Sequence, residues 1–267
     1  MQFADSDEDA GKKERRQAFL LRYIEQNQYM SLDEIASLCS VTTQTARRDI
    51  TALERRGKLR RLHGGAVISV PLDPGVYRQR RVENAVGKEA IARKVAELLP
   101  DNASVFIDTG TTCEAIARAL SIRRNLRVVT YSLRVATTLS ENTDFTIAVP
   151  GGFIRNLDAA VFSENAQNFI RAFKFDYVIV AVSGIDDDGD IGDDDYAEVS
   201  AVRAAMQQAS RVVLAIDSSK FHRRALVRLG SVSEMDIVVA DVPPPPGLST
   251  ILEGGKTVYH VAAREQE

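Results

Sequence analysis

Of the 267 residues none is tryptophan, two are cysteine and three are histidine. Cys39 and Cys113 stand far apart without metal-ligand spacing, so neither a disulfide framework nor a zinc site is implied, which suits a reducing cytoplasm. His63, His222 and His260 are scattered, and a transition metal finds no ligand set among them. No uncharged apolar run approaches the roughly 18 residues that a membrane span needs. The first ten residues carry Asp5, Asp7, Glu8 and Asp9, the opposite of a signal peptide. A soluble, cytoplasmic protein with no membrane partner is expected. What is plentiful is apolar side chain, 45% of the total, enough for a large core, and the length favours two domains.

A net charge of −3 argues against a nucleic-acid binder, but the charge is not spread evenly. Residues 12–68 hold 12 lysines and arginines against 6 acidic residues, whereas residues 71–267 hold 22 against 27. A basic DNA-contacting module joined to an acidic second domain has this asymmetry. The expected division is a disordered acidic tail over 1–11, a DNA-binding domain over 12–68, a linker over 69–81 marked by Pro71, Pro74 and Gly75, and a second domain over 82–267.

Three helical patterns follow the tail. The first, residues 13–26, places Phe19, Leu20, Tyr23 and Ile24 on one side. The second opens with Ser31 and Glu34 at capping-box spacing and is expected to bury Leu32, Ile35, Ala36 and Leu38. Thr42 is a suitable N-cap for the third. There Ala46, Ile50 and Leu53 form the apolar stripe, while Gln44, Arg47, Arg48, Thr51 and Arg55 fall opposite, beside Thr43 and Thr45 near the start. Guanidinium forks suit guanine edges and phosphates, and a carboxamide suits adenine. A short helix, a tight turn and a polar-basic helix make a helix-turn-helix reader of double-stranded DNA. Beyond Gly57, Leu59, Leu62, Ala66 and Val67 read as a small β-wing turned at Gly64 and Gly65, with Arg60, Arg61 and His63 available to the phosphate backbone or minor groove.

The core of Thr45, Arg47, Arg48 and Asp49, followed by His63, Gly64, Gly65 and Ala66, resembles the DeoR family of sugar-metabolism repressors. Ala46 stands where that family more often has a larger aliphatic residue. The resemblance implies an operator-binding repressor.

From residue 82 onward helix and strand patterns alternate, which predicts βαβ units and a mostly parallel sheet covered on both faces. Ligands of such sheets sit at the carboxyl ends of the strands. Four strand ends carry chemistry. Asp108 to Thr112 precedes a helix directly, so that Gly110, Thr111 and Thr112 can present N–H and hydroxyl groups to an anion. Gly151 and Gly152 allow close backbone approach, with Arg155 able to pair with a charged ligand. Ser183 and Asp186 follow the next strand, Asp186 as an acceptor for ligand hydroxyls. Lys220 follows the strand ending at Ile216 and is a candidate to neutralise phosphate. The order of these segments is similar to the family's effector domain, which implies a fold like that of ribose-5-phosphate isomerase and its sugar-phosphate relatives. Within the family the runs 87–96, 183–186, 195–199 and 241–245 most resemble glycerol-3-phosphate regulon repressors. That likeness implies a phosphorylated sugar or polyol as effector, held at Thr111 and Thr112 with Lys220 nearby, and brings Glu198 into the expected site. The acidic stretch 186–195, and Tyr131 and Ser132 where those relatives commonly have asparagines, depart from the pattern.

Rival readings are an isomerase with an accessory DNA-binding domain, using Asp186, Glu198 and Lys220 as acid and base, and a protein that grips nucleic acid without regard to sequence. A calcium loop in the acidic stretch fails: registered on Gly189 the first ligand position falls on Gly184, and registered on Gly192 the fifth falls on Ile191. No catalytic residue, metal or cofactor is expected. A homodimer or homotetramer is, because paired reading heads match repeated half-sites.

Overall fold

The acidic N-terminus feeds straight into a helix in the computed structural model, which describes residues 4–27, 29–56, 58–62, 65–68, 74–162 and 166–263. Helix α1 runs Ala4–Asn27, so residues 4–11 are helical rather than the disordered tail expected. Asp5, Asp7, Glu8 and Asp9 lie in its opening turns, where carboxylates complement the positive end of the helix dipole. The chain divides into two compact units, residues 1–73 and 74–267.

In the first unit, α1 is followed by β1 (Tyr29–Ser31), α2 (Leu32–Leu38), α3 (Thr43–Arg55), β2 (Leu59–Leu62) and β3 (Gly65–Ile68). Ser31 and Glu34 form the expected capping box, each satisfying the other's backbone N–H at 3.2 and 2.8 Å. Antiparallel β2 and β3 make the wing, and β1, which the sequence did not suggest, adds a third strand beside β3. Leu20, Ile24, Ile35, Ala46, Ile50, Leu53, Leu59 and Ala66 close one core. Leu38, expected inside, is 51% exposed, because it ends a helix of only seven residues and points past the core that Cys39 and Val41 help to line.

The second unit opens with α4 (Pro74–Val82), which makes the later part of the expected linker helical and part of this unit. The remaining elements are α5 (Ala85–Leu98), β4 (Ser104–Ile107), α6 (Thr111–Ala119), β5 (Arg127–Thr130), α7 (Leu133–Asn142), β6 (Thr146–Ala148), β7 (Phe153–Arg155), β8 (Ala160–Phe162), α8 (Ala166–Arg171), β9 (Phe175–Val180), β10 (Gly184–Ile185), β11 (Asp190–Asp193), α9 (Tyr196–Met206), β12 (Ala209–Ile216), β13 (Val227–Ser231), β14 (Ile237–Ala240), α10 (Pro246–Glu253) and β15 (Val258–Val261). Seven of the strands form one wholly parallel sheet in the order β15-β14-β12-β9-β4-β5-β6.

Side chains alternate across that sheet with period two. On β12, Val213 and Ala215 face a core shared with α5, α6 and α7, while Val212, Leu214 and Ile216 face α9, α10 and a small antiparallel sheet of β10, β11 and β13. The chain winds outward from β4 through β5 to β6, then returns to start again at β9 beside β4. The carboxyl ends of β4 and β9 therefore flank the crevice where the winding reverses, the place where ligands of open α/β sheets bind.

Asp49 is the feature of the first unit most sensitive to change. It is 2% exposed and its carboxylate accepts from Arg16 Nε at 2.5 Å and Gln17 Nε2 at 3.0 Å, tying α3 to α1. Removing a charged hydrogen-bond acceptor from such a setting costs about 2–4 kcal/mol. Asp49→Ala should therefore lower the thermal denaturation midpoint of the full chain's first transition by several degrees, read by calorimetry.

Candidate functional site

The reading helix α3 carries its chemistry outward. Thr42 caps it, its hydroxyl accepting from the Thr45 N–H at 3.2 Å and meeting the Thr45 hydroxyl at 3.0 Å. Thr42, Thr43, Gln44, Arg47, Arg48 and Arg55 are exposed, and Thr45 and Thr51 half-buried. The Thr51 hydroxyl donates to the Arg47 carbonyl at 2.8 Å. The opposite face is Ala46, Asp49, Ile50 and Leu53, all buried. Asp49 thus serves the interior rather than DNA. Arg60 and Arg61 are carried on β2, and His63 lies outside the described residues.

In the second unit the site grows from Asp108. Ile107 ends β4, and Asp108 follows with 3% of its surface exposed. Its carboxylate accepts from the Thr109 N–H at 2.8 Å, from the Ala181 N–H at 3.2 Å beyond the end of β9, and from the Tyr131 hydroxyl just beyond β5. Burial outweighs these donors and pushes its pKa up to about 7. Gly110 next takes φ +107°, where a side chain is strained, and α6 starts immediately after it. No side chain caps α6, so the N–H groups at its amino end, with the half-buried Thr111 and buried Thr112, form the anion-receptive end that the sequence suggested.

Arg155 arrives from a direction the sequence did not reveal. It ends β7 of a small antiparallel hairpin, β7–β8, whose far strand docks beside Tyr131 through the Val161 N–H to Tyr131 carbonyl bond at 2.7 Å. Three carboxylates enclose its guanidinium: Asp158, Asp195 at 2.6 Å, and Glu198. Asp158 also accepts from the Thr109 hydroxyl at 3.4 Å. Thr109, Arg155 and Glu198 are therefore joined through Asp158. Burial among acids drives the Glu198 carboxyl well above its ordinary range, with Asp193 adding to the push, and lifts Asp193 itself to about 6. Ser183 is buried beside them and donates to Asp193.

Two expected members stand elsewhere. Asp186 sits in the β10–β11 turn, where its carboxylate accepts from the Asp188 and Asp190 N–H groups at 3.1 and 2.9 Å. It lines a separate cavity of about 420 Å³ with Asp187, His222 and Arg228. Its acceptor capacity goes to closing the turn, and Asp158, Asp193 and Asp195 supply the carboxylates at the site. Lys220 belongs to a buried knot at the ends of β12 and β14. There Asn84 donates to Asp241 at 2.8 Å and to Asp217 at 3.4 Å, and Lys88, 3% exposed, lies 4.0 Å from Asp217 and donates to the Arg80 and Glu83 carbonyls at 2.6 Å each. Burial pulls both lysines below their usual range. A Cβ on Gly87 would stand 2.6 Å from the Asn84 and Asp241 side chains, so glycine is needed there to let α5 approach. Gly151 and Gly152 are exposed ahead of β7. Among the described residues no group of three or more histidine, cysteine or carboxylate residues is placed to hold a metal ion, and no helix is long and apolar enough to cross a membrane.

A DeoR-like helix-turn-helix family model matches residues 16–70, and the DeoR C terminal sensor domain matches residues 83–242. The chain belongs to the DeoR family. This DeoR protein is a DNA-binding transcriptional repressor with a C-terminal sensor domain. It is 39% identical over 250 residues to the glycerol-3-phosphate regulon repressor of Escherichia coli, covering 94% of this chain and 98% of that one. It is 38% identical over 234 residues to the HTH-type transcriptional repressor CsqR of the same organism, covering 88% and 90%. Among solved structures, ribose 5 phosphate isomerase A from Neisseria gonorrhoeae aligns at 18% identity over 51% of this chain and 53% of that one, with a TM-score of 0.36, a likeness too slight to argue from.

The raised carboxyls of this DeoR sensor unit give its stability a definite pH dependence. Asp108 and Asp193 hold protons in the folded chain to about 7 and about 6, whereas an unfolded aspartate releases its proton near 3.9. The folded state binds more protons across that window, so their contribution is fullest at low pH and declines as pH rises through 6 and 7. Asp108→Asn should flatten the decline in denaturation midpoint between pH 5 and pH 8. A variant that loses stability as steeply as wild type would refute the assignment.

Proposed function

We propose that this protein represses genes of carbohydrate or polyol catabolism and leaves its operator when a phosphorylated sugar or polyol, glycerol 3-phosphate first among them, occupies the sensor unit. The observation that carries the reading is the uncapped amino end of α6 at the crevice between β4 and β9, opening with Gly110, Thr111 and Thr112. It suits a phosphoryl group, and the carboxylates of Asp158, Asp195 and Glu198 around Arg155 suit the hydroxyls of a polyol. The similarity to a glycerol-3-phosphate regulon repressor over nearly the full length supports the same ligand.

On this reading Gln44, Arg47, Arg48 and Arg55 of α3 meet base edges or phosphates in the major groove, and Arg60, Arg61 and His63 of the wing meet the backbone. The protein acts as a homodimer or homotetramer joined through sensor units, so that paired heads engage repeated half-sites. Ligand binding shifts those heads out of register. A coupling of about 1–3 kcal/mol changes operator affinity about 5–150-fold. The isomerase alternative needs Asp186, Glu198 and Lys220 to act together. The turn bonds of Asp186 and the ion pair of Glu198 speak against it, and incubation with ribose 5-phosphate should yield no ribulose 5-phosphate.

An operator is obtained by selecting duplexes from a randomised library with the wild-type protein. Arg47→Ala should then weaken operator binding by about 1–3 kcal/mol and leave ligand binding intact. Thr111→Ala should do the reverse. Release of the Thr111→Ala protein by glycerol 3-phosphate, ribose 5-phosphate, fructose 1-phosphate or deoxyribose 5-phosphate at wild-type concentrations would remove the site from α6.

A further inference from the structure

We infer that Arg134 is the cation that takes the phosphoryl group, and that in doing so it undoes a clasp holding α4, the first helix after the DNA-binding unit. The inference rests on the effector reading above. Arg155 is poorly placed for the task, since three carboxylates already surround it and it is largely buried. Lys220 belongs to the knot at the ends of β12 and β14.

Arg134 is bound more loosely. It stands in the first turn of α7 with a third of its side chain exposed. Its Nε donates to the Asp158 carbonyl at 3.2 Å and lies 3.6 Å from Glu114 Oε1, and its guanidinium lies over the Tyr77 ring at 5.1 Å. Both carboxylate-bearing neighbours flank the amino end of α6. Glu114 is one turn in, its N–H donating to the Gly110 carbonyl at 3.0 Å, and Asp158 accepts from the Thr109 hydroxyl. A phosphoryl dianion at Gly110 to Thr112 is thus within the reach of a long side chain whose present contacts are few and long.

The consequence falls on Glu114. It is 2% exposed, and its carboxylate accepts from the Tyr77 hydroxyl at 2.6 Å and from Arg81 Nε at 2.8 Å, both on α4. These bonds fasten α4 to α6. When Arg134 turns to the ligand, Glu114 loses a counter-charge and gains a dianion one turn away, while Tyr77 loses the cation over its ring. The fastening weakens at both ends. Because α4 opens the sensor unit, its loosening is passed along the chain towards the reading head without any direct contact.

The test uses the full-length chain, the selected operator and the four phosphorylated compounds named above, with compound binding followed by calorimetry and operator binding by fluorescence anisotropy. Arg134→Ala should lower affinity for the active compound about tenfold or more, the loss of one charge-assisted contact, while operator affinity without compound stays within about twofold. Glu114→Gln should bind the compound within about threefold of wild type, yet hold the operator less tightly without it, and its compound-induced change should shrink below about twofold. Tyr77→Phe, which keeps the buried volume, should move the same way by less and stands in if Glu114→Gln does not fold. Arg134→Ala binding the compound as wild type does, or wild-type release in both clasp variants, overturns the inference alone. Failure of all four compounds to loosen wild type from DNA overturns the effector reading and the clasp with it.

Discussion

The carboxylate of Asp108 sets the terms for everything around it in the sensor unit. At the end of β4 it accepts from the turn that starts α6, from the chain leaving β9 and from the hydroxyl beyond β5. Those segments leave the sheet in different directions, and one buried side chain holds them together where the winding reverses. A buried charge is tolerated only when its neighbours satisfy it, and here burial still pushes the proton affinity up to about 7. Asp193 and Glu198 are lifted for the same reason. The crevice is therefore acidic, and its buried arginine is spent on holding three acids at the rim. An anion entering there depends on backbone dipoles, threonine hydroxyls and a cation not already neutralised.

Much of this was legible in the sequence, for reasons that can be assigned. The capping box at Ser31 and Glu34, the stripe of Ala46, Ile50 and Leu53, and the strands from β4 to β14 are set by local spacing, and local spacing is what a sequence displays. Gly110 to Thr112 was readable because glycine between a strand and a helix has few other uses. Other features were hidden. Strand β11 lies in a stretch of five aspartates among eight residues, 188–195, where Ile191 alone points to the core, and β10 is two residues long. The hairpin of β7 and β8 was taken for a ligand loop because its glycines precede it. The acidic tail and the linker were read from composition, which does not register that carboxylates favour a helix start or that Pro74 is admissible in a first turn.

What escaped most completely were pairings across long stretches of chain. Asp49 in the motif of Arg47 and Arg48 looks like one more polar residue of the reading face, yet it bonds Arg16 and Gln17 in the interior. Asp186 was the natural acceptor after Ser183, but the turn it closes keeps its oxygens. Asp158, Asp193, Glu114 and Arg134 went unnoticed because none sits in a motif. Each matters through a partner that the fold delivers. The position of Lys88 in the run from Gly87 was visible, and its buried contacts to the Arg80 and Glu83 carbonyls were not.

An acidic crevice seems at first a poor home for a phosphorylated compound, but the arrangement favours one kind of ligand over another. Inorganic phosphate gains only the amino end of α6 while meeting the field of Asp108, Asp158, Asp193 and Glu198. A phosphorylated polyol brings the same charged end and, some carbons away, hydroxyl donors that carboxylates accept well. Its tail thus recovers hydrogen bonds from the very groups that repel its head. On the proposed reading, discrimination arises from separating the two functions along one ligand: dipole and hydroxyl groups at α6 for the phosphoryl group, and the acids around Arg155 for the rest. A site rich in arginine would hold phosphate itself as readily, and a sensor that answers to so common an ion reports nothing about the carbon source.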